Sequence, residues 1–558
     1  MKFDSQRMVP PRGTLRPAQA AVLALFACGA AQAMDLNTGV SGLKLRWDNT
    51  VKYSAAYRRH DADPVLAGDA NLSDGDNNFA RKGLVSSRFD LLSELEASTG
   101  PFGVRLSGAA WYDSLYNRGN HNVAPLPVNY AAAVFPGGNA QPNDFVPYTR
   151  STHGRNGELL DAFVSGRFDL GGHATTLRLG KHTVVWGETL FFGDNGIAGG
   201  MVPIDVAKAL SVPNLRYQEV ARPVNQVSGQ FQINEDITAY AYYQLNWVGN
   251  RSQGSGSYFS PIDFQDGGDL IFTGPTSFFT REGTRKGKDG GQGGVSLRIR
   301  GDDIDYGLYA VRFNAKSSAT INKPDLPPTG MGTFYDNYHN GINAFGASAN
   351  KSAGLFNYAM EVSMRQNQDL FSPNAYDVGA GPQYAVGKTA HFNISAFGTS
   401  LGKSPVWDDA LLLAEVAYSR VLSITRNANT MSGCGWTPVS TCQPNGTRSA
   451  WRFQTLFEPV LYQAFPGVDL RFPMGLSYVP KGSRNMVGPA PAPENAGSIN
   501  VGISSSYLDV WRAGLSFNHF YGARGGLFST DASGTTAFNY RQYFGDRDYL
   551  SFNLSRTF

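Results

Sequence analysis

Cysteine is scarce in this chain, and no long apolar run follows its first 33 residues. The three cysteines are Cys28, Cys434 and Cys442. The first falls in an N-terminal leader, so an exported chain keeps one closely spaced pair. That pair predicts a single disulfide, Cys434 to Cys442, stapling a long loop. No stretch beyond the leader reaches the roughly 18 to 20 apolar residues of a membrane helix. The eight histidines, from His60 to His519, recur at no partner spacing, and no H-E-x-x-H or phosphate-loop pattern occurs. An enzyme is therefore not expected, and no cofactor. Nor is there an excess of charge. The formal +3 includes a leader holding four of the 48 Lys and Arg and one of the 45 acidic residues, which leaves 44 of each. A near-neutral chain lacks the basic surface a nucleic-acid partner requires.

What is present begins at the ends. Lys2, Arg7, Arg12 and Arg16 precede an apolar run over 20–30 and then Ala31-Gln32-Ala33, the pattern of a secretory signal peptide spanning 1–33. At the other end Leu550, Phe552, Leu554 and Phe558 alternate with Ser551, Asn553, Ser555 and Thr557. Period-2 alternation is a strand with different surroundings on its two faces. A closing strand that stops on Phe558 matches the signal read by the outer-membrane barrel-assembly machinery. Arg556, on the apolar side, is expected at the periplasmic interface, its stem reaching lipid headgroups.

The same alternation recurs in Leu43–Tyr57, 88–97, 104–113, 226–233, 237–247, 356–365 and 511–518. The first of these exceeds the 5 to 6 residues of a common soluble strand, whereas a tilted membrane strand needs about 9 to 11. Short turns are expected near 99–103, 169–174, 234–236, 301–303, 350–354, 398–408, 463–467 and 505–508, with long polar segments between them. Short turns on one rim and long loops on the other give an antiparallel transmembrane β-barrel. With both termini periplasmic the strand number is even: about 18, with 16 the nearest alternative. Residues 34–558 then form one all-β outer-membrane domain with long extracellular loops. Strands near 304–313 and 468–479 alternate poorly.

Inward faces carry Arg88, Glu94, Glu96, Arg105, Arg178, His182, Arg298, Glu361, Arg365, Glu415 and Arg512. Buried charge is costly unless paired or wet, so the lumen holds water or ion pairs. One long connection is suited to plug it: Gly180-Lys181-His182-Thr183-Val184-Val185-Trp186-Gly187-Glu188, then Phe191–Gly196, then Val202-Pro203-Ile204-Asp205 and a helical turn over 207–210. Here the chain resembles a family of Gram-negative outer-membrane proteins of unknown function, recognised by G-K/R-x-x-V-x-W-G-E followed by P-x-D. Asp74-Gly75-Asp76-Asn77-Asn78-Phe79, Ala414-Glu415 and Pro466-Gly467-Val468-Asp469-Leu470 also match. The resemblance implies a barrel often encoded beside a periplasmic lipid-binding-like protein and an inner-membrane transporter of the resistance-nodulation-division type, which are its candidate partners.

The gate candidates are Arg178, His182, Trp186, Glu188, Pro203, Asp205, Glu361, Arg365 and Glu415. The blander reading makes Trp186 a girdle residue and gives Glu188 a lumenal ion pair. Asp74, Asp76 and Asn78 are candidate calcium ligands, although the twelve-residue loop with its closing Glu is absent. Outer-membrane lipid and lipopolysaccharide are expected partners, the latter at the basic Arg281, Arg285, Lys286 and Lys288. The aromatic loop residues Tyr258, Phe259, Phe264, Phe278 and Phe279 suggest a surface that captures apolar solutes. The expected function is a channel for hydrophobic or amphipathic small molecules. The alternatives are a substrate-selective aqueous porin and, from another class, an adhesive barrel or a barrel hydrolase with a Ser or Asp and an oriented His at its rim.

Overall fold

The computed structural model describes residues 34–35, 39–122, 128–274, 276–325, 330–431, 447–481, 492–530 and 536–558. The leader and the Cys434 and Cys442 pair lie outside the described residues. Eighteen staves form one antiparallel sheet that closes on itself. The first seven are β1 (Leu43–Arg58), β2 (Gly83–Thr99), β3 (Phe102–Asp113), β4 (Arg155–Asp169), β5 (Ala174–His182), β6 (Val224–Gln232) and β7 (Ile237–Gln244). Next come β8 (Gln292–Arg300), β9 (Asp305–Phe313), β10 (Ile342–Ala353), β11 (Phe356–Asp369), β12 (Val386–Gly398) and β13 (Asp409–Arg426). The circuit ends with β14 (Ser449–Phe465), β15 (Val468–Arg471 and Met474–Lys481), β16 (Ala496–Tyr507), β17 (Trp511–Tyr521) and β18 (Tyr549–Thr557). Closure falls where the alternation predicts it, with Tyr53 of β1 opposite Phe89 on one side and Leu554 on the other.

Alternation decides which solvent each face meets. On β1 the buried Lys52, Ser54 and Arg58 point inward, while Trp47 and Tyr57 stand exposed outside. Leu91, Leu177, Val295, Met360, Ile394 and Leu515 continue that exposed apolar belt around the wall. A belt of this extent is unstable in water and stable in lipid. No helix among the described residues is long and apolar enough to cross a membrane, but a closed sheet crosses with every backbone group paired. Short turns at 100–101, 170–173, 233–236, 301–304, 354–355, 399–408, 466–467 and 508–510 all lie on the rim that carries both ends of the barrel. This is a transmembrane barrel of the outer-membrane type, and its even stave number follows from that parity.

Both poorly alternating strands are staves. β15 is interrupted at Phe472-Pro473, because Pro473 has no N–H to give the ladder. In β9 the outward Tyr306 and Leu308 alternate with inward Tyr309, Val311 and Phe313, so both faces are apolar. Arg556 departs from expectation. Its guanidinium lies 5.1 Å from the Trp511 ring centroid and 6.0 Å from that of Phe558, and the side chain is buried. Two aromatic rings screen a charge that would otherwise have to reach headgroups. The backbone of Phe558 pairs with Asn49 in both directions, at 2.7 and 2.8 Å.

The long connections build a cap over the other rim. Two of them contribute Leu270–Phe272, Phe278–Arg285, Ala319–Pro324 and Gly332–Asn337 to a four-stranded sheet of their own. A helix of one turn, α1 (Asp74–Asn78), lies beneath it with every residue buried. Phe79, Tyr116, Phe145, Tyr258 and Phe259 form an aromatic core beside α1, and Phe279 is buried as well. The expected capture surface is therefore largely interior packing.

Candidate lumenal gate

The connection from β5 to β6, residues 183–223, turns into the barrel and is held by inward side chains from staves far apart in the circuit. Its anchor on the far wall is a pair of carboxylates. Glu415 of β13 accepts the backbone N–H groups of Leu190, Phe191 and Phe192 at 3.1, 2.5 and 3.1 Å. Glu361 of β11 accepts those of Glu188 at 2.9 Å and Ile197 at 2.6 Å. Five N–H groups of this segment, which have no ladder to join, thus find anionic acceptors in a buried site.

Neighbouring groups complete the clasp. Arg365 donates to the carbonyls of Asp194 at 2.9 Å and Gly196 at 2.7 Å. Arg452 of β14 pairs with the Asp194 carboxylate at 2.8 Å and lies over the Phe192 ring. Asn195 donates to the Asn393 side chain at 2.9 Å, and its Oδ1 accepts from His391 Nδ1 at 2.9 Å. Two glycines sit closely against the Glu361 carboxylate here. At Gly187, with φ +100°, a Cβ would stand 2.2 Å from Glu361 Oε2, and at Gly196 it would stand 2.7 Å from Oε1. Replacing Gly187 by Ala is expected to loosen the clasp by about 1–3 kcal/mol. Amide hydrogen exchange in detergent micelles checks it: Glu188 and Ile197 should exchange roughly 5- to 150-fold faster.

Beyond the clasp the segment runs through three short helices, α2 (Ala198–Met201), α3 (Val206–Ser211) and α4 (Tyr217–Val220). Ile197, Met201 and Val202 pack on Val311 and Phe313 of β9 and on Ile342 and Ala344 of β10. This contact is why β9 is apolar on its inner face. Asp205 caps α3 by accepting the Lys208 N–H at 2.8 Å, and also pairs with Arg251 at 2.7 Å. Near the other end Lys52 of β1 donates to the Asn214 carbonyl at 3.2 Å, and Asn214 donates to Asn553 of β18 at 2.8 Å. The segment therefore reaches both sides of the lumen.

Gln244 donates to the Met201 carbonyl at 2.9 Å, and its oxygen, with that of Gln292, receives the Lys316 ammonium at 3.4 and 3.1 Å. Lys316 lies just beyond the end of β9, and burial brings its amine down to about 7. Between about pH 7 and its unfolded value the unfolded chain holds a proton that the folded chain lacks, so stability should rise with pH across that window. Lys316→Met should flatten the rise and add roughly 2–4 kcal/mol at pH 7. Thermal unfolding in detergent from pH 6.5 to 10 reads both effects.

The sequence-derived candidates separate into groups. Glu361, Arg365 and Glu415 converge on the segment. His182 stays on the near wall, within 2.7 Å of the Ser228 hydroxyl, and Arg178 beside it is exposed to the lumen. Pro203 accepts the Arg222 N–H at 2.9 Å. Trp186 is no girdle residue, since it packs inside the barrel on Tyr242 and Tyr309. Glu188 meets the Asn350 amide at 3.1 Å in place of the expected ion pair. Asp74, Asp76 and Asn78 do not converge: Asp76 is taken by Arg547 and Arg58, and Asn78 donates to the Gly256 carbonyl. Among the described residues no three His, Cys, Asp or Glu side chains form a metal-sized group. Arg452, Asn195, His391 and Arg251 were missed. The inward register of Arg452 beside outward Trp451 was the available signal for the first. A G-x-S-x-G string at Gly398–Gly402 lies at the end of β12 and in the following periplasmic turn, with no helix after it, so it is not a nucleophile elbow.

The profile of a protein of unknown function, DUF1302, matches residues 14–558. The chain belongs to the DUF1302 family. No curated protein matches the DUF1302 chain. Solved structures to which this DUF1302 barrel is similar include OccAB3 of Acinetobacter baumannii, at 8% identity, covering 92% of this chain and 99% of that one with a TM-score of 0.42. OccAB1 of the same organism has 9% identity, coverage of 92% and 96%, and a TM-score of 0.40. Pseudomonas aeruginosa OpdK with vanillate has 10% identity, coverage of 92% and 98%, and a TM-score of 0.39.

Proposed function

We propose that this barrel is a constricted outer-membrane channel for small amphipathic molecules. The observation that carries the reading is the connection 183–223, drawn across the lumen and tied to opposite walls. A barrel of this size without an inward segment leaves a wide aqueous passage, so the segment sets what passes. Its own exposed side chains include Val185, Leu190, Leu210 and Tyr217. The surrounding wall presents exposed Arg178 and Arg298, and the Arg105 pairs with Glu94 and Asp161 at 2.6 and 3.2 Å. An apolar surface facing charged groups suits a solute with one apolar and one charged end.

Planar-bilayer recording of the purified protein tests this. A small, flickering conductance, blocked by millimolar aromatic carboxylates and indifferent to neutral sugars, is the expected result. A large steady conductance, unaffected by such solutes, would sink it. The exposed Arg178 favours a second reading, an anion-selective aqueous porin, for which that large conductance would be selective for chloride over potassium.

A further inference from the structure

Charge in the buried cap does not balance. Arg58 and Arg547 are fully buried and their donors are committed. Arg58 gives Nη2 to Asp546 at 2.5 Å and to Asp76 at 3.3 Å, and its other donors to the carbonyls of His60 and Phe79. Arg547 gives Nε and Nη2 to Asp76 at 3.2 and 2.9 Å, and Nη1 to the carbonyls of Tyr258 and Ser260. Two cations thus match Asp76 and Asp546. Two further buried carboxylates, Asp74 and Asp263, have no cation in contact.

These two are linked to one another and to Asn129. The Asp74 N–H donates to Asp263 Oδ2 at 2.7 Å, and the Asn129 N–H donates to Asp74 Oδ2 at 3.0 Å. Each of the three then has one oxygen left over. Asp74 Oδ1, Asp263 Oδ1 and Asn129 Oδ1 are buried and accept no hydrogen bond. Asp74 is 5% exposed, and Asp263 and Asn129 are 0%. Leaving an ionised oxygen buried without a donor or cation is costly. Burial pushes the Asp74 carboxyl up to about 7, and burial with the Asp74 charge pushes Asp263 well above the usual range.

We propose that Asp74, Asp263 and Asn129 form a site for a hard divalent cation, calcium in the first instance. All three donors are oxygens, two of them anionic, which is the chemistry such ions take. The three residues come from three separate connections, so a bound ion would pin α1, the 114–154 connection and the 245–291 connection together over the barrel mouth. This ligand set shares only Asp74 with the one read from sequence spacing. Asp76 is withdrawn by its arginines, and Asp263 and Asn129 come from distant parts of the chain.

The test uses the full-length protein in detergent, freed of lipopolysaccharide and stripped with EDTA, titrated calorimetrically with CaCl2. One ion per barrel is expected to bind, with an affinity of roughly 10⁻⁴ to 10⁻³ M or tighter, and to raise the thermal unfolding temperature. Asp263→Asn and, separately, Asn129→Ala should weaken binding at least tenfold. Glu235→Gln, in a turn on the other rim, should leave it unchanged. No binding at about 10 mM calcium, far above that range, would overturn the proposal. So would binding that Asp263→Asn and Asn129→Ala leave intact. A stability that ignores calcium but falls as pH rises from 4 to 7 would also overturn it, since the charge would then be balanced by a proton shared between the carboxyls.

Discussion

Replacing Glu361 and Glu415 together by Ala should release the inward segment and open the lumen. Conductance in a planar bilayer should rise several-fold and the flicker should disappear. The five backbone N–H groups these carboxylates accept would otherwise have no acceptor in a buried site. A hydrogen bond to a charged group contributes about 1.5–3 kcal/mol, and bonds sharing one carboxylate do not add in full. Loss of Glu415 alone should therefore cost on the order of 3–5 kcal/mol of local stability. Glu415→Gln keeps one acceptor oxygen and should fall between wild type and Ala. Unchanged conductance in the double variant would mean that the apolar contact on β9 and β10 holds the segment without the clasp.

The second large effect belongs to the cap. Arg547→Met should cost about 3–5 kcal/mol, because it leaves Asp76 and Asp546 with only Arg58 between them in a buried site. Burial pushes the Asp76 carboxyl up, but the Arg547 and Arg58 guanidiniums outweigh it and hold it below the ordinary range. Without Arg547 that balance reverses. The barrel wall should survive, since its ladder does not involve this residue. Limited trypsin digestion separates the two: cleavage near Lys82 and Lys286 should accelerate while the resistant barrel fragment persists. A digestion pattern identical to wild type would show that Arg58 alone suffices.

How far the sequence was legible depends on which solvent a residue faces. Staves between lipid and water alternate cleanly, as in β11, and in β18 up to Arg556. β9 does not, because its inner face meets the apolar side of the inward segment; its Tyr309, Val311 and Phe313 report a contact that no local pattern encodes. Glu361 and Glu415 could be assigned to the lumen by parity alone, yet nothing in their spacing says that they bind backbone amides of residues some 170 to 225 positions away. The motif Trp186-Gly187-Glu188 drew attention through its side chains. Its decisive member is the glycine, which lets the backbone approach Glu361. Within Asp74–Asn78 the acidic spacing pointed to metal, whereas two arginines from opposite ends of the chain claim Asp76.

A strap across a hoop does more than narrow it. A closed sheet is stiff along its strands and compliant in the angle between neighbouring staves, so a wide ring flattens readily under uneven lateral pressure. The connection 183–223 leaves between β5 and β6, is fastened at β11 to β14, and is fastened again at β1 and β18. Those three arcs divide the circumference, so the wall cannot become oval without drawing on the clasp. The roundness of this barrel and the seat of the segment inside it are therefore one mechanical variable, and the lipid pressing on the outside is coupled to the clasp within.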